Sequence, residues 1–178
     1  MLLDLSRLRE ARERIDRTFE ASSFEAGPED VFQVQTPVHL AFDIHKDGTQ
    51  FHLVGGLQTT LRLSCGRCLE PFPFPVDVTF DLLYLPHSEN VGEGEAEVED
   101  DDMTTAYYRD EQIDLGQLLR EQFYLVLPMK PLCRESCRGL CPECGTNLNT
   151  GTCSCVREWK DPRFDGLRSL IDRGDGKV

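Results

Sequence analysis

The chain has 178 residues, 39% hydrophobic and 29% charged, a balance that folds and excludes the disordered and collagenous classes. The formal net charge of −13 argues against a protein that coats nucleic acid through overall basicity. The acidity is concentrated, however: eight carboxylates between Glu89 and Asp102 have no Lys or Arg among them, while residues 130–178 carry nine basic against seven acidic side chains. Bulk charge therefore does not exclude RNA. The opening MLLDLSRLRE becomes charged too early for a signal peptide, and no apolar run approaches bilayer length, so a cytoplasmic location is expected. In that reducing compartment the eight cysteines point to metal ligands or redox groups before disulfides.

Residues 5–19 read as an amphipathic helix, with Leu5, Leu8, Ile15 and Phe19 near one face and arginines on the remainder. Beyond Pro37 the period changes to two. Val38, Leu40, Phe42 and Ile44 predict a strand, Asp47-Gly48 a hairpin turn, and Phe51, Leu53, Leu57, Leu61, Leu63 and Cys65 a second strand, interrupted at Gly55-Gly56 by a bulge or bend. After a PFPFP turn, Val76, Val78, Phe80, Leu82 and Tyr84 make a third strand of an antiparallel sheet. The acidic segment 87–102 reads as a mobile loop, or alternatively as an intramolecular mimic of RNA. Asp114 is a helix cap, with an apolar stripe from Leu115 to Val126 that Pro128 ends. A last short helix follows Asp161-Pro162, through Phe164, Leu167 and Leu170 or Ile171. The expected fold is therefore α+β: an antiparallel core with an N-terminal and a central helix over residues 1–128, then a cysteine-rich segment over 129–178.

The densest chemistry is Cys133-x3-Cys137-x3-Cys141-x2-Cys144 followed by Cys153-x-Cys155. Cys141-Pro-Glu-Cys144-Gly145 has the form of a zinc knuckle, and a tetrahedral thiolate site takes its second pair from Cys133/Cys137 or Cys153/Cys155. Such a closed site supports folding and leaves no position for a substrate. Cys65-Gly-Arg-Cys68 is half of a second zinc site, or else a redox dithiol; the non-helical LEPFPFP that follows disfavours the dithiol. Phosphate-binding glycine loops, HExxH and the nucleophile elbow are absent, and His39, His45, His52 and His87 are scattered. Trp159 beside Arg157 and Lys160 either packs over the metal segment or stacks on a nucleotide.

Cys65-Gly-Arg-Cys68-Leu69-Glu70, the run from Ile113 through Leu127-Pro128 to Cys137-Arg-Gly-Leu-Cys141-Pro-Glu-Cys144-Gly-Thr-Asn-Leu-Asn149, and the closing Asp161-Pro-Arg-Phe164 with Leu167 resemble the YceD family of large ribosomal RNA subunit accumulation proteins. The likeness runs in order over roughly residues 5 to 172. It implies a non-enzymatic part in the synthesis, processing or stability of large-subunit ribosomal RNA. The expected partners are that RNA or its precursor and ribosomal proteins, met through Lys130, Arg134, Arg138, Arg157, Lys160 and Arg163. The rival readings are a thiol redox protein using Cys65 and Cys68, and a protein-only adaptor that meets ribosomal proteins without touching RNA.

Overall fold

The computed structural model describes residues 1–24, 27, 30–89 and 104–155. Strands β1 (Leu2–Asp4), β2 (Arg12–Phe19), β3 (Phe32–Val34), β4 (Val38–Asp47), β5 (Gln50–Ser64), β6 (Pro71–Pro86), β7 (Thr105–Tyr108) and β8 (Gln112–Asp114) are followed by helix α1 (Leu115–Val126). The main sheet has six strands in the order β2-β4-β5-β6-β7, with β3 also on β5, and β1 pairs with β8 in a separate ribbon. All pairings in the main sheet are antiparallel except that of β6 with β7, so the sheet is mixed.

Alternation along the long strands decides which face is buried. Val38, Leu40, Phe42 and Ile44 of β4 and Leu53, Leu57 and Leu61 of β5 are buried, and Leu115, Leu118, Leu119 and Phe123 of α1 join the same core. The helix starts where Asp114 accepts from the amides of Gly116 and Gln117, satisfying donors that a first turn leaves orphaned. It is the one α-helix among the described residues.

Three expectations need correction. The stretch 5–19 is not a helix: Leu5–Arg7 is one 3-10 turn and Arg12–Phe19 is β2, running against β4 from Arg12↔His45 to Phe19↔Val38. Ile15 and Phe19, four apart, fit a helical stripe and a strand face equally well, and pairing with β4 selects the strand. The PFPFP segment is not a turn but the start of β6, with Pro71, Pro73 and Pro75 opposite Ser64, Arg62 and Thr60. Cys65 N–H donates to the Glu70 carbonyl at 2.9 Å, which puts the prolines on the intervening, non-hydrogen-bonded pairs of the ladder. Their missing N–H groups therefore face the free edge, since β7 pairs only with Leu83–Pro86. Finally, β5 runs through Gly55-Gly56 in unbroken register, without a bulge. Those glycines are needed because a Cβ on Gly55 would lie 2.3 Å from the Ala41 oxygen and from Phe42 Cβ. The expected helix at 161–171 lies outside the described residues, as does most of the acidic segment; His87–Glu89 is a 3-10 turn. Among the described residues, no helix is long and apolar enough to cross a membrane.

Candidate metal centres

The β5–β6 connection carries Cys65 and Cys68 at one end of the sheet, and the chain leaving α1 returns there, with Gly66 N–H donating to Pro131 O at 2.7 Å. That return brings together cysteines far apart in sequence. Cys65, Cys68, Cys133 and Cys137 form one quartet and Cys141, Cys144, Cys153 and Cys155 another, each with its sulfurs within 4.8 Å of one another. The expected knuckle Cys141/Cys144 meets Cys153/Cys155, and Cys133/Cys137 goes to the pair from the sheet.

Both quartets are built on the same turn. Cys141 N–H donates to Thr146 O at 2.8 Å and Gly145 N–H to Cys141 O at 2.9 Å; Cys65 N–H donates to Glu70 O and Leu69 N–H to Cys65 O, each at 2.9 Å. Gly145 and Leu69, the residues after the second cysteine of each pair, have φ of 72° and 61°. Cys65-x-x-Cys68 is thus a knuckle with leucine where glycine is usual. Arg67 locks the inner quartet, donating through Nη1 to the carbonyls of Glu135 at 3.0 Å and Cys137 at 2.9 Å, while its own carbonyl accepts Leu140 N–H at 3.0 Å.

The donor set fits a metal ion. Cys65 and Cys137 sulfurs are 3.8 Å apart, as are those of Cys68 and Cys133. That separation is too long for a disulfide, and all eight thiols are free. It matches the edge of about 3.8 Å of a tetrahedron whose ion sits about 2.3 Å from each sulfur, the zinc–thiolate distance. Protonation also marks four thiols that share too small a space for four charges. In the inner quartet burial pushes Cys65 up, but amides of Cys133, Cys68 and Arg67 outweigh it and bring the thiol to about 6; burial and the neighbouring thiols push Cys133 up to about 12. In the outer quartet the Thr146 hydroxyl, 3.2 Å from the sulfur, leads in lowering Cys144 to about 6, and Cys155 is raised to about 12, chiefly by Cys144. A cation removes the conflict by letting every sulfur ionise.

Asn149 is the site residue that spacing alone does not reveal. It donates through Nδ2 to Cys137 Sγ at 3.3 Å, and its Oδ1 accepts from the Arg138 amide at 2.9 Å and from Arg134 Nη2 at 3.1 Å. A signal was available in Asn147-x-Asn149, because asparagines in such a loop bond local backbone. Of the basic residues expected to meet RNA, Lys130, Arg134 and Arg138 are exposed, and Arg157, Lys160 and Arg163, like Trp159, lie outside the described residues. His39, His45 and His52 alternate with core positions on β4 and β5 and so belong to the opposite face of the sheet.

Residues 53–171 match a family model described as large ribosomal RNA subunit accumulation protein YceD. A maize protein named large ribosomal RNA subunit accumulation protein YCED homolog 1, chloroplastic, is 30% identical over 161 residues, 78% of this chain and 54% of that one. Its Arabidopsis thaliana namesake is 29% identical over 159 residues, 78% and 50% of the two chains. An uncharacterized protein of Mycobacterium tuberculosis is 38% identical over 108 residues, 60% and 49% of the two. The chain thus spans about half the length of the relatives it matches. No solved structure matches it significantly.

Proposed function

Because the chain belongs to the YceD family of large ribosomal RNA subunit accumulation proteins, we propose that it serves the synthesis, processing or stability of large-subunit ribosomal RNA as a non-enzymatic, zinc-bearing binding module. The single observation that carries this reading is the family match over residues 53–171, a span that contains both cysteine quartets. Zinc is the metal of choice here because four thiolates in tetrahedral reach suit it and leave no open coordination position. The centres therefore hold a surface in shape rather than perform chemistry. Residues 129–178 form the zinc-stapled segment, and residues 1–128 the core that carries it.

Lys130, Arg134 and Arg138 approach the RNA backbone from this segment, with Arg157, Lys160 and Arg163 completing the basic set. The exposure of Lys130, Arg134 and Arg138 beside a rigid metal turn favours phosphate contact, which fixes register without reading bases. Charge reversal at three of them is expected to weaken RNA binding and flatten its salt dependence.

The test is ultraviolet cross-linking in cells, with sequencing of the attached RNA and peptide mapping of the adduct. Enrichment on large-subunit ribosomal RNA, with adducts within 129–178, is the expected result. Ribosomal proteins co-purifying without any RNA adduct would replace this reading with the adaptor one, and Cys65 or Cys68 cycling reversibly through a disulfide in cells would replace it with the redox one.

A further inference from the structure

The quartets differ in exposure. Cys65, Cys68 and Cys137 are buried and Cys133 half-buried, whereas Cys144, Cys153 and Cys155 are exposed and only Cys141 of the outer quartet is buried. A competing ligand removes a metal by displacing thiolates one after another, so it must reach them. It can do so readily at the outer quartet, whereas the inner one offers only half-buried Cys133.

The quartets are also joined. Asn149 belongs to the loop between Cys144 and Cys153, hence to the outer quartet, yet its Nδ2 donates to Cys137 Sγ of the inner quartet at 3.3 Å. Its place is set within that loop: its amide and Nδ2 both reach Asn147 Oδ1, at 3.0 and 2.9 Å, and Leu148 N–H donates to Gly139 O at 2.9 Å. A donor aimed at a metal-bound thiolate tempers its charge and fixes its direction, and removing such a partner typically weakens metal binding about 10–100-fold.

We propose that the outer quartet is an exchangeable zinc site whose occupancy, acting through Asn149, sets how tightly the inner quartet keeps its metal. The inner centre is the permanent staple and the outer one responds to the zinc level. This rests on the zinc reading above. Asn149 is a positioning residue, since it acts on the metal through Cys137.

The test uses the full, zinc-loaded chain mixed with excess pyridylazo-resorcinol, which colours as it takes zinc. Release is expected in two phases, and alkylation stopped at the end of the first should label Cys144, Cys153 and Cys155 but not Cys65, Cys68 or Cys137. Asn149→Asp keeps the acceptor that Arg134 and Arg138 use but loses the donor to Cys137. Exchange of the inner metal, followed with a zinc isotope, is expected to be about tenfold slower at free zinc that keeps the outer quartet filled than after the outer quartet is emptied. Asn149→Asp and Asn149→Ala should abolish that difference by making exchange fast in both conditions. A single phase of release, inner cysteines labelled first, or an inner exchange rate that responds neither to outer occupancy nor to Asn149→Asp would overturn the proposal. A chain that takes up neither zinc nor cobalt before any chelator is added would overturn the zinc reading beneath it, a distinct and earlier failure.

Discussion

Leu69 holds a left-handed backbone, φ 61°, with its side chain 66% exposed. The conformation costs an ordinary residue roughly 1–2 kcal/mol, and exposure recovers little of that by burial. Glycine adopts it freely but loses more backbone freedom on folding, about 0.5–1 kcal/mol. Leu69→Gly is therefore expected to stabilise the metal-loaded protein by about 0.5 kcal/mol in denaturant unfolding, and a clear loss would mean that Leu69 makes a contact in the working state. Asp30 presents the opposite case, a satisfied charge. The Arg120 guanidinium first, then the Tyr124 hydroxyl and the Gly27 amide, hold its carboxyl down at about 2. Its folded value lies below the ordinary 3.8, so its stabilisation is present above that value and is lost as pH falls toward 2. Asp30→Asn should destabilise by about 1–2 kcal/mol at neutral pH, and the gap between the variant and the parent should close on acidification. A gap independent of pH would assign the effect to packing. The knuckle Cys141-x-x-Cys144-Gly145 was legible in the sequence because glycine marks its left-handed turn, whereas the same turn at Cys65 was obscured by leucine at that position.

Among the elements, β5 is the centre of the sheet, and Gly55 is its tightest point. Phe42 and Phe80 flank it across the ladder, with their ring centroids 6.2 Å apart. Gly55→Ala would place a Cβ 2.3 Å from Phe42 Cβ and the Ala41 oxygen, backbone that cannot yield cheaply. A loss of about 3 kcal/mol or more is expected by thermal or denaturant unfolding, and a change below about 1 kcal/mol would show the strands free to separate there. The sequence marked both glycines as special and misread the reason, because a bulge and a close approach both ask for a missing Cβ. The strand β4, the turn at Asp47-Gly48 and the cap at Asp114 were legible because each rests on local chemistry: alternation, a turn residue at φ 59°, a carboxylate facing free amides. Arg12–Phe19 and the prolines of β6 were not, because a neighbouring strand decides both. Ile15 and Phe19 suit either period until β4 offers its edge, and three prolines are tolerated in a strand only once the ladder's hydrogen-bonded parity is known.

At the scale of the molecule, the described residues form two buried clusters of unequal size. One has twenty hydrophobic residues of the sheet, the β1–β8 ribbon and α1, while the other has three cysteines, Cys65, Cys68 and Cys137. Phe72 packs against both, and the Gly66 amide ties the smaller to Pro131. A cluster of three thiols supplies little hydrophobic free energy, so under the zinc reading the cysteine segment holds its shape through metal–sulfur bonds, while the sheet core stands without them. The pairing of Cys65 and Cys68 with Cys133 and Cys137 joins residues separated by the whole of β6, β7, β8 and α1, a closure that spacing along the chain does not encode. Stripping the metal should therefore divide the chain by stability. Trypsin is expected to cut after Arg134 or Arg138, Lys130 being shielded by Pro131, at least about tenfold faster in the chelated protein than in the loaded one, since cleavage follows the population of the open segment. A fragment ending at Arg134 should persist with the sheet's far-ultraviolet signature intact. If the core is digested at the same rate as the cysteine segment, the metal staples the whole fold, and residues 1–128 are not an independent unit. If neither rate responds to the chelator, hydrogen bonds such as those of Arg67 and Asn149 suffice to hold the segment, and zinc is not what shapes it.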